Sequence, residues 1–355
     1  MYLKHARFDL LRVFGGAPLG LVVLASGLVF PAALAIWAWV WIAVGDGPHM
    51  FATYLRTLFD ASMWKERPRL LRLSFVVFGA GFAAMLVGAV IGSRAPFVAF
   101  VGLSALVGVV HVMRQHAGFL ALYSPRNVDV AGRARDRFCL MAGLTVPYAW
   151  FLASHRSFGN LVPHGQETLW LAVSALAVGL VTLVFFTGGR GLLANAYFAT
   201  AVGLSALSYF VVSRAEPLLP GATGFDQELL VVSILVSFMH QVQYVAIAGL
   251  FARARARRGV STGLAGAIVG SPGRTAGAYA AFVVLYLGLA FGCGIYPGSE
   301  GLRAARLGPF WVTEIALSIF WGIALQHYVL DTFIWRFRHD PELRADLAAI
   351  RGAGS

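Results

Sequence analysis

The stretch FMHQVQYVA, Phe238 to Ala246, lies inside the run 229–252, which is apolar enough to cross a bilayer and yet carries His240, Gln241, Gln243 and Tyr244. The same mixture recurs along the chain. Of its 355 residues 59% are hydrophobic and only 12% are charged, against about 25% charged in soluble domains. Apolar runs near the 17 to 25 residues that span a bilayer occur at 18–44, 70–92, 95–123, 137–157, 168–187, 191–212, 229–252, 276–296 and 309–335. The expectation is an all-α, polytopic transmembrane helix bundle of about nine spans, forming a single membrane domain over 1–355. The segment 45–69 reads as a cytoplasmic interfacial stretch and 336–355 as a cytoplasmic tail. The first run is too long for a signal-peptide core and has no small-residue cleavage site close behind it, so it is expected to stay as a span.

The net charge of +12 is explained by topology and calls for no nucleic-acid partner. Nineteen of the 28 Lys and Arg follow odd-numbered runs, and five (Arg94, Arg156, Arg214, Arg303 and Arg306) follow even-numbered ones. By the positive-inside bias the odd loops and the C-terminus face the cytoplasm, as expected for a bacterial inner-membrane protein. Lys4, Arg7 and Arg12 run against this, unless the first run is broken near Pro31 and the count is even. Cys139 and Cys293 fall near opposite faces and suggest no redox motif.

Three runs place a histidine one helical turn before a polar partner: His111 with Arg114 and Gln115, His240 with Gln243 and Tyr244, and His327 with Asp331. Offsets of three and four share a helix face. The three histidines precede Arg126, Arg253 and Arg336 by 15, 13 and 9 residues, which sets them about 14 to 22 Å inward of those basic ends. His49, in DGPHMFATYLRTLFD, lies on the same side. His116 is five residues from His111 and reaches the same ion only across a bend. Glu314 lies about 20 Å from His327 along its run and is set aside, and His155 and His164 read as solvated.

Ionisable groups at membrane depth mark functional sites, and neutral imidazole is the commonest metal ligand. The candidate ligands are His49, His111, His240, His327 and Asp331, with Gln115, His116 and Gln243 as their hydrogen-bonding supports. Asp331, Arg114 and Tyr244 are the candidate catalytic groups. A histidine and carboxylate set suits non-haem iron, with copper, manganese or zinc as alternatives. The implied substrate is a lipid or other apolar molecule in the membrane, with an electron donor as a further partner. Haem held by paired histidines and a proton or ion path through His, Asp and Arg are the competing readings.

The site, with HVMRQH, and with HQVQY and QHYVLD standing where further histidine boxes are expected, resembles in general terms that of multi-pass histidine-box enzymes. These are the membrane fatty-acid desaturases and hydroxylases, and the bacteriorhodopsin-related carotene dioxygenases. HVMRQH has the HxxxxH spacing of a first desaturase box, and no HxxHH follows it. The resemblance implies non-haem iron, held by histidines near the cytoplasmic side, acting oxidatively on an apolar substrate. The longer strings PHMFATYLRTLFD, HVMRQHAGFLALY, MHQVQY and QHYVLDTFIWR also look like those of a group of bacterial multi-pass proteins, a resemblance that brings no activity with it.

Overall fold

The computed structural model describes residues 6–30, 32–125, 128–155, 161–212, 227–296, 298–335 and 340–352. Among them the chain is all-α apart from a two-residue hairpin, Arg306–Leu307 with Phe310–Trp311. Seven helices are long and apolar enough to cross a membrane: Pro68–Ile91, Ala95–Tyr123, Glu167–Phe186, Leu192–Val211, Val232–Arg257, Pro272–Gly292 and Val312–Ile334. In Glu167–Phe186 and Pro272–Gly292 only 11% of the apolar window is buried within the protein. Side chains such as Leu176, Leu183 and Leu285 are therefore bare. A water-soluble chain does not leave so much contiguous apolar surface open, and the protein is an integral membrane protein.

The count of nine spans is not reached by this measure, for two local reasons. The first expected run divides into the helix Gly16–Val29, the helix Ala33–Val40 and a π-helical turn Trp41–Asp46. The first of these stops where Phe30 leaves helical backbone angles, at φ −133° and ψ 86°, and Pro31 itself lies outside the described residues. The fourth run is a 25-residue helix, Val130–Ser154, with Arg133, Arg135, Asp136 and Arg137 in its first half and Pro147 inside it. These charges dilute its apolar character.

The chain packs as two compact units, Met1–Leu34 with His111–His240, and Ala35–Val110 with Gln241–Ser355. In the first unit Val130–Ser154 packs against Glu167–Phe186 and Leu192–Ala206. Phe185 and Phe198 stack there at 3.9 Å, and Arg190 reaches buried Asp136 at 2.7 Å. Gly16 lets its helix approach the backbone of Phe238 and Met239 so closely that a Cβ would sit 2.4 Å from the Met239 Cα. Small residues at such crossings take the place of hydrophobic driving force in lipid.

The second unit is built around Val312–Ile334. This helix packs on both halves of the Pro68–Ile91 span, on Pro272–Gly292 and on the short helix Gly47–Arg56. A Cβ on Gly322 would meet the Phe78 carbonyl oxygen at 2.6 Å. Gly47–Arg56, inside the stretch expected to lie at the interface, is buried along almost its whole length. Tyr54 packs with Met63, Leu71, Leu330 and Ile334, and Phe51 and Leu55 pack with Ala265 and Ile268. The Asp60 side chain caps the next short helix, Ala61–Glu66, at the Ser62 N–H. The helix Pro341–Gly352 is tied down by Arg258, which reaches Asp346 and Glu342 at 2.6 Å each. Of the expected tail, 336–339 and 353–355 lie outside the described residues, as do Arg126 and Arg336, two of the three residues used to gauge depth.

Candidate functional site

In the second unit His49 and Thr53 share one face of Gly47–Arg56, and His327 and Asp331 share one face of Val312–Ile334, each pair four residues apart. Tyr244 comes from Gln227–Arg257. All five side chains are buried. The His49 and His327 rings lie 4.3 Å apart at 65°, with nitrogen atoms within 4.8 Å of one another, and the His49 and Tyr244 rings lie 4.4 Å apart.

The hydrogen bonds fix the protons. Thr53 Oγ1 donates to Asp331 Oδ1 at 3.0 Å, which uses its single proton. His327 Nδ1, 2.6 Å from the same oxygen, is therefore the donor of that bond and carries the hydrogen. In the neutral ring Nε2 then presents a lone pair, and it faces Asp331 Oδ2 at 3.6 Å. Tyr244 donates to Asp331 Oδ1 at 2.6 Å and also touches the Thr53 hydroxyl. A separation of 3.6 Å is too long for a hydrogen bond. It is close to the gap of about 3.0 to 3.5 Å between two ligands that share one ion at bonds near 2.1 Å.

A second acidic position, Asp46, receives Tyr286 OH at 2.6 Å and Gln241 Nε2 at 3.2 Å. It closes the π-helical turn and precedes His49 by one helical turn, and π-turns recur at functional sites. Gln243 is buried in the same unit.

The first unit holds three further histidines of its own. His111 and His240 meet edge to face at 5.4 Å, and His116 lies 6.4 Å from His240. His116 Nδ1 is held 2.7 Å from Tyr197 OH, while Gln115 follows His111 by four residues on the same helix face. His116 thus sits with the other two, although the five-residue offset places it well round the helix. Nearby, Tyr123 donates to buried Asp9 at 3.0 Å.

Two expectations fare differently among the remaining polar residues. His155 is buried against Phe151, with ring centroids 4.8 Å apart, instead of being solvated, because the end of Val130–Ser154 folds it back onto its own helix. His164 is exposed, as expected, 3.6 Å from Glu167. Glu314 is buried and paired with Arg94 at 2.6 Å, away from the histidines of its unit. Arg114 is exposed. Cys139 and Cys293 are both free thiols.

Thr53, Asp46, Tyr286 and Tyr197 were not singled out from the sequence. For Thr53 a signal existed in its four-residue offset from His49. For the others nothing local distinguishes a tyrosine or aspartate that meets a partner from a distant helix.

Fold and site together define the class: an all-α polytopic membrane protein with partnered histidines buried inside each of two units. No family model, curated protein or solved structure matches the chain.

Proposed function

We propose that the protein is an integral-membrane metalloenzyme whose ion is held in the second unit by His49, His327 and Asp331, and that it acts oxidatively on a lipid or other apolar substrate. The observation that carries this reading is the Nε2 lone pair of His327 facing the Asp331 carboxylate at 3.6 Å, with Nδ1 already committed to Thr53. A shared cation stabilises two such facing lone pairs, and the His49 nitrogen within 4.8 Å supplies a third donor that suits a metal ion better than a proton. Two histidines and one carboxylate are the donor set of non-haem iron oxygenases, with positions left open for other ligands; copper, manganese and zinc are the alternatives.

Iron, when bound, would supply activation of dioxygen toward a C–H bond. The protein's own residues do the rest. Thr53 and Tyr244 bind the outer oxygen of Asp331 and so orient the inner one, as outer partners of metal ligands do. Burial of the five side chains keeps water from the site. Insertion of one oxygen atom consumes two further electrons, so an electron donor is the implied partner. By the distribution of basic residues the site lies in the cytoplasmic half of a bacterial inner membrane.

A second reading, a proton or ion path, is favoured by Asp46, an ionisable group one turn from His49. Metal analysis separates the two. Purified protein should carry about one transition-metal ion per chain, and His49→Ala, His327→Ala and Asp331→Asn should each lose it. A folded, metal-free preparation with proton flux in vesicles would replace the enzyme by a transporter. His111→Ala and His240→Ala belong in the same series, because loss of metal there would assign those histidines to metal as well.

A further inference from the structure

Beside the histidine and carboxylate group of the second unit lies a second tier of buried side chains, on the same helix faces. On Gly47–Arg56 the face that carries His49 and Thr53 continues to Arg56; on Gln227–Arg257 the face of Tyr244 continues to Phe251 and Arg255; Trp335 follows Asp331 by four residues. Arg56 Cζ lies 4.8 Å from the Trp335 ring and 5.4 Å from the Phe251 ring. Trp335 in turn lies 6.0 Å from Tyr244, the donor to Asp331. Along the helix axis Arg56 is about 10 Å from His49.

Arg56 is 7% exposed, and among the described residues its buried Nη1 has no hydrogen-bond partner. Among the described residues no carboxylate pairs with it. Its neighbour Arg255 is already neutralised by Asp60 at 3.6 Å and Asp346 at 3.7 Å, and donates to Ser62 at 3.0 Å, while its Nε also lacks an acceptor. Burial, and then the like charge of Arg255, hold the Arg56 guanidinium down at about 10. Two aromatic faces offset part of the cost of burying a cation, but they supply no acceptor for its N–H groups. A buried polar hydrogen left without an acceptor costs about 1 to 3 kcal/mol.

We propose that Arg56 anchors the head group of the substrate: its guanidinium receives the carboxylate of a monoanionic amphiphile, whose apolar chain runs along the shared face toward His49 and His327. Arg56 is the arginine of this tier that no described carboxylate reaches, whereas Arg255 has Asp60 and Asp346, so a single carboxylate from a ligand would give Arg56 a partner. The spare donors are two nitrogens, Arg56 Nη1 and Arg255 Nε, one for each oxygen of a carboxylate. The proposal rests on the metal reading only for which end of the amphiphile reacts.

The test measures equilibrium binding of carboxyl-labelled hexadecanoate, followed by carbon-13 NMR, to the full chain in phosphatidylcholine nanodiscs. Hexadecan-1-ol and hexadecyl phosphate serve as competitors. Wild type should bind hexadecanoate saturably and prefer it to the alcohol. Arg56→Gln should weaken binding about 10- to 100-fold, the range of a lost hydrogen bond to a charged group, and Arg56→Lys should recover part of it. Wild type treated with a chelator to strip any metal should bind hexadecanoate as the untreated protein does, so failure of the metal reading leaves this result readable. Equal competition by the alcohol, stronger competition by the phosphate, or undiminished binding to a folded Arg56→Gln variant would each overturn the proposal. Because the competitor comparison uses wild type alone, it holds even if Arg56→Gln fails to fold.

Discussion

Thr53→Val tests the site at its least conspicuous member. Valine keeps the branched shape and removes a single hydroxyl, at a position with no exposure to solvent. That hydroxyl makes two bonds at once, accepting from His327 Nδ1 at 2.6 Å and donating to Asp331 Oδ1 at 3.0 Å. Its loss leaves a buried imidazole N–H without its acceptor, at a cost of about 1 to 3 kcal/mol. It also frees the ring to adopt the other tautomer, in which Nε2 carries the proton and no longer ligates. Removing an orienting partner of a metal ligand typically lowers affinity about 10- to 100-fold, equivalent to about 1.4 to 2.8 kcal/mol. Competition with a metal-buffering chelator measures that affinity, and thermal unfolding in detergent measures stability. Thr53→Ser, which keeps the hydroxyl, should stay within a few-fold of wild type. If Thr53→Val binds metal as tightly as wild type while losing stability, the hydroxyl serves packing alone and the proton assignment for His327 is wrong.

Other expectations follow from the same geometry. Arg255→Met strands the buried carboxylates of Asp60 and Asp346, and although Arg258 still holds Asp346, unfolding measured by denaturant should show a loss of about 3 kcal/mol, near the lower end for a broken buried pair; a loss under 1 kcal/mol would mean that the cluster is well hydrated. Gly16→Leu forces a side chain into the Phe238 and Met239 backbone and should lower stability by about 1 to 3 kcal/mol, as overpacking does; an unchanged melting temperature would place that helix elsewhere. Cysteines introduced at Ser124 and Ser271 should resist an impermeant thiol reagent in intact cells, whereas one at exposed His164 should react. The opposite labelling pattern would invert the orientation read from the basic loops.

The sequence by itself determined the membrane class, because apolar length and scarcity of charge are sums along the chain that need no knowledge of packing. It also determined which polar residues share a helix face, since the 3.6-residue period fixes that locally: His327 with Asp331 was legible as a pair, and the two side chains meet at 3.6 Å. The number of helices long enough to span was less legible. Hydropathy over 18–44 does not register that the helix stops at Phe30, nor does the apolar half of Val130–Ser154 reveal the charged half that begins it.

Tertiary structure alone decided which histidine meets which. Equal depth predicts one layer for His111, His240 and His327; within the first unit His111 and His116 both come to lie beside His240, and within the second His49 comes to lie beside His327 and Asp331. It also turned Thr53 from a neutral residue of a short helix into the group that assigns the tautomer of His327, a partner 274 positions away. It left Arg56 between two aromatic rings with an N–H that nothing in the described chain accepts. The physical reason is that a helix constrains its own residues through hydrogen bonds four positions long, whereas the rotation and approach of one helix against another depend on side-chain volumes and close glycine crossings from distant parts of the chain. Those terms add up only once the whole chain has packed.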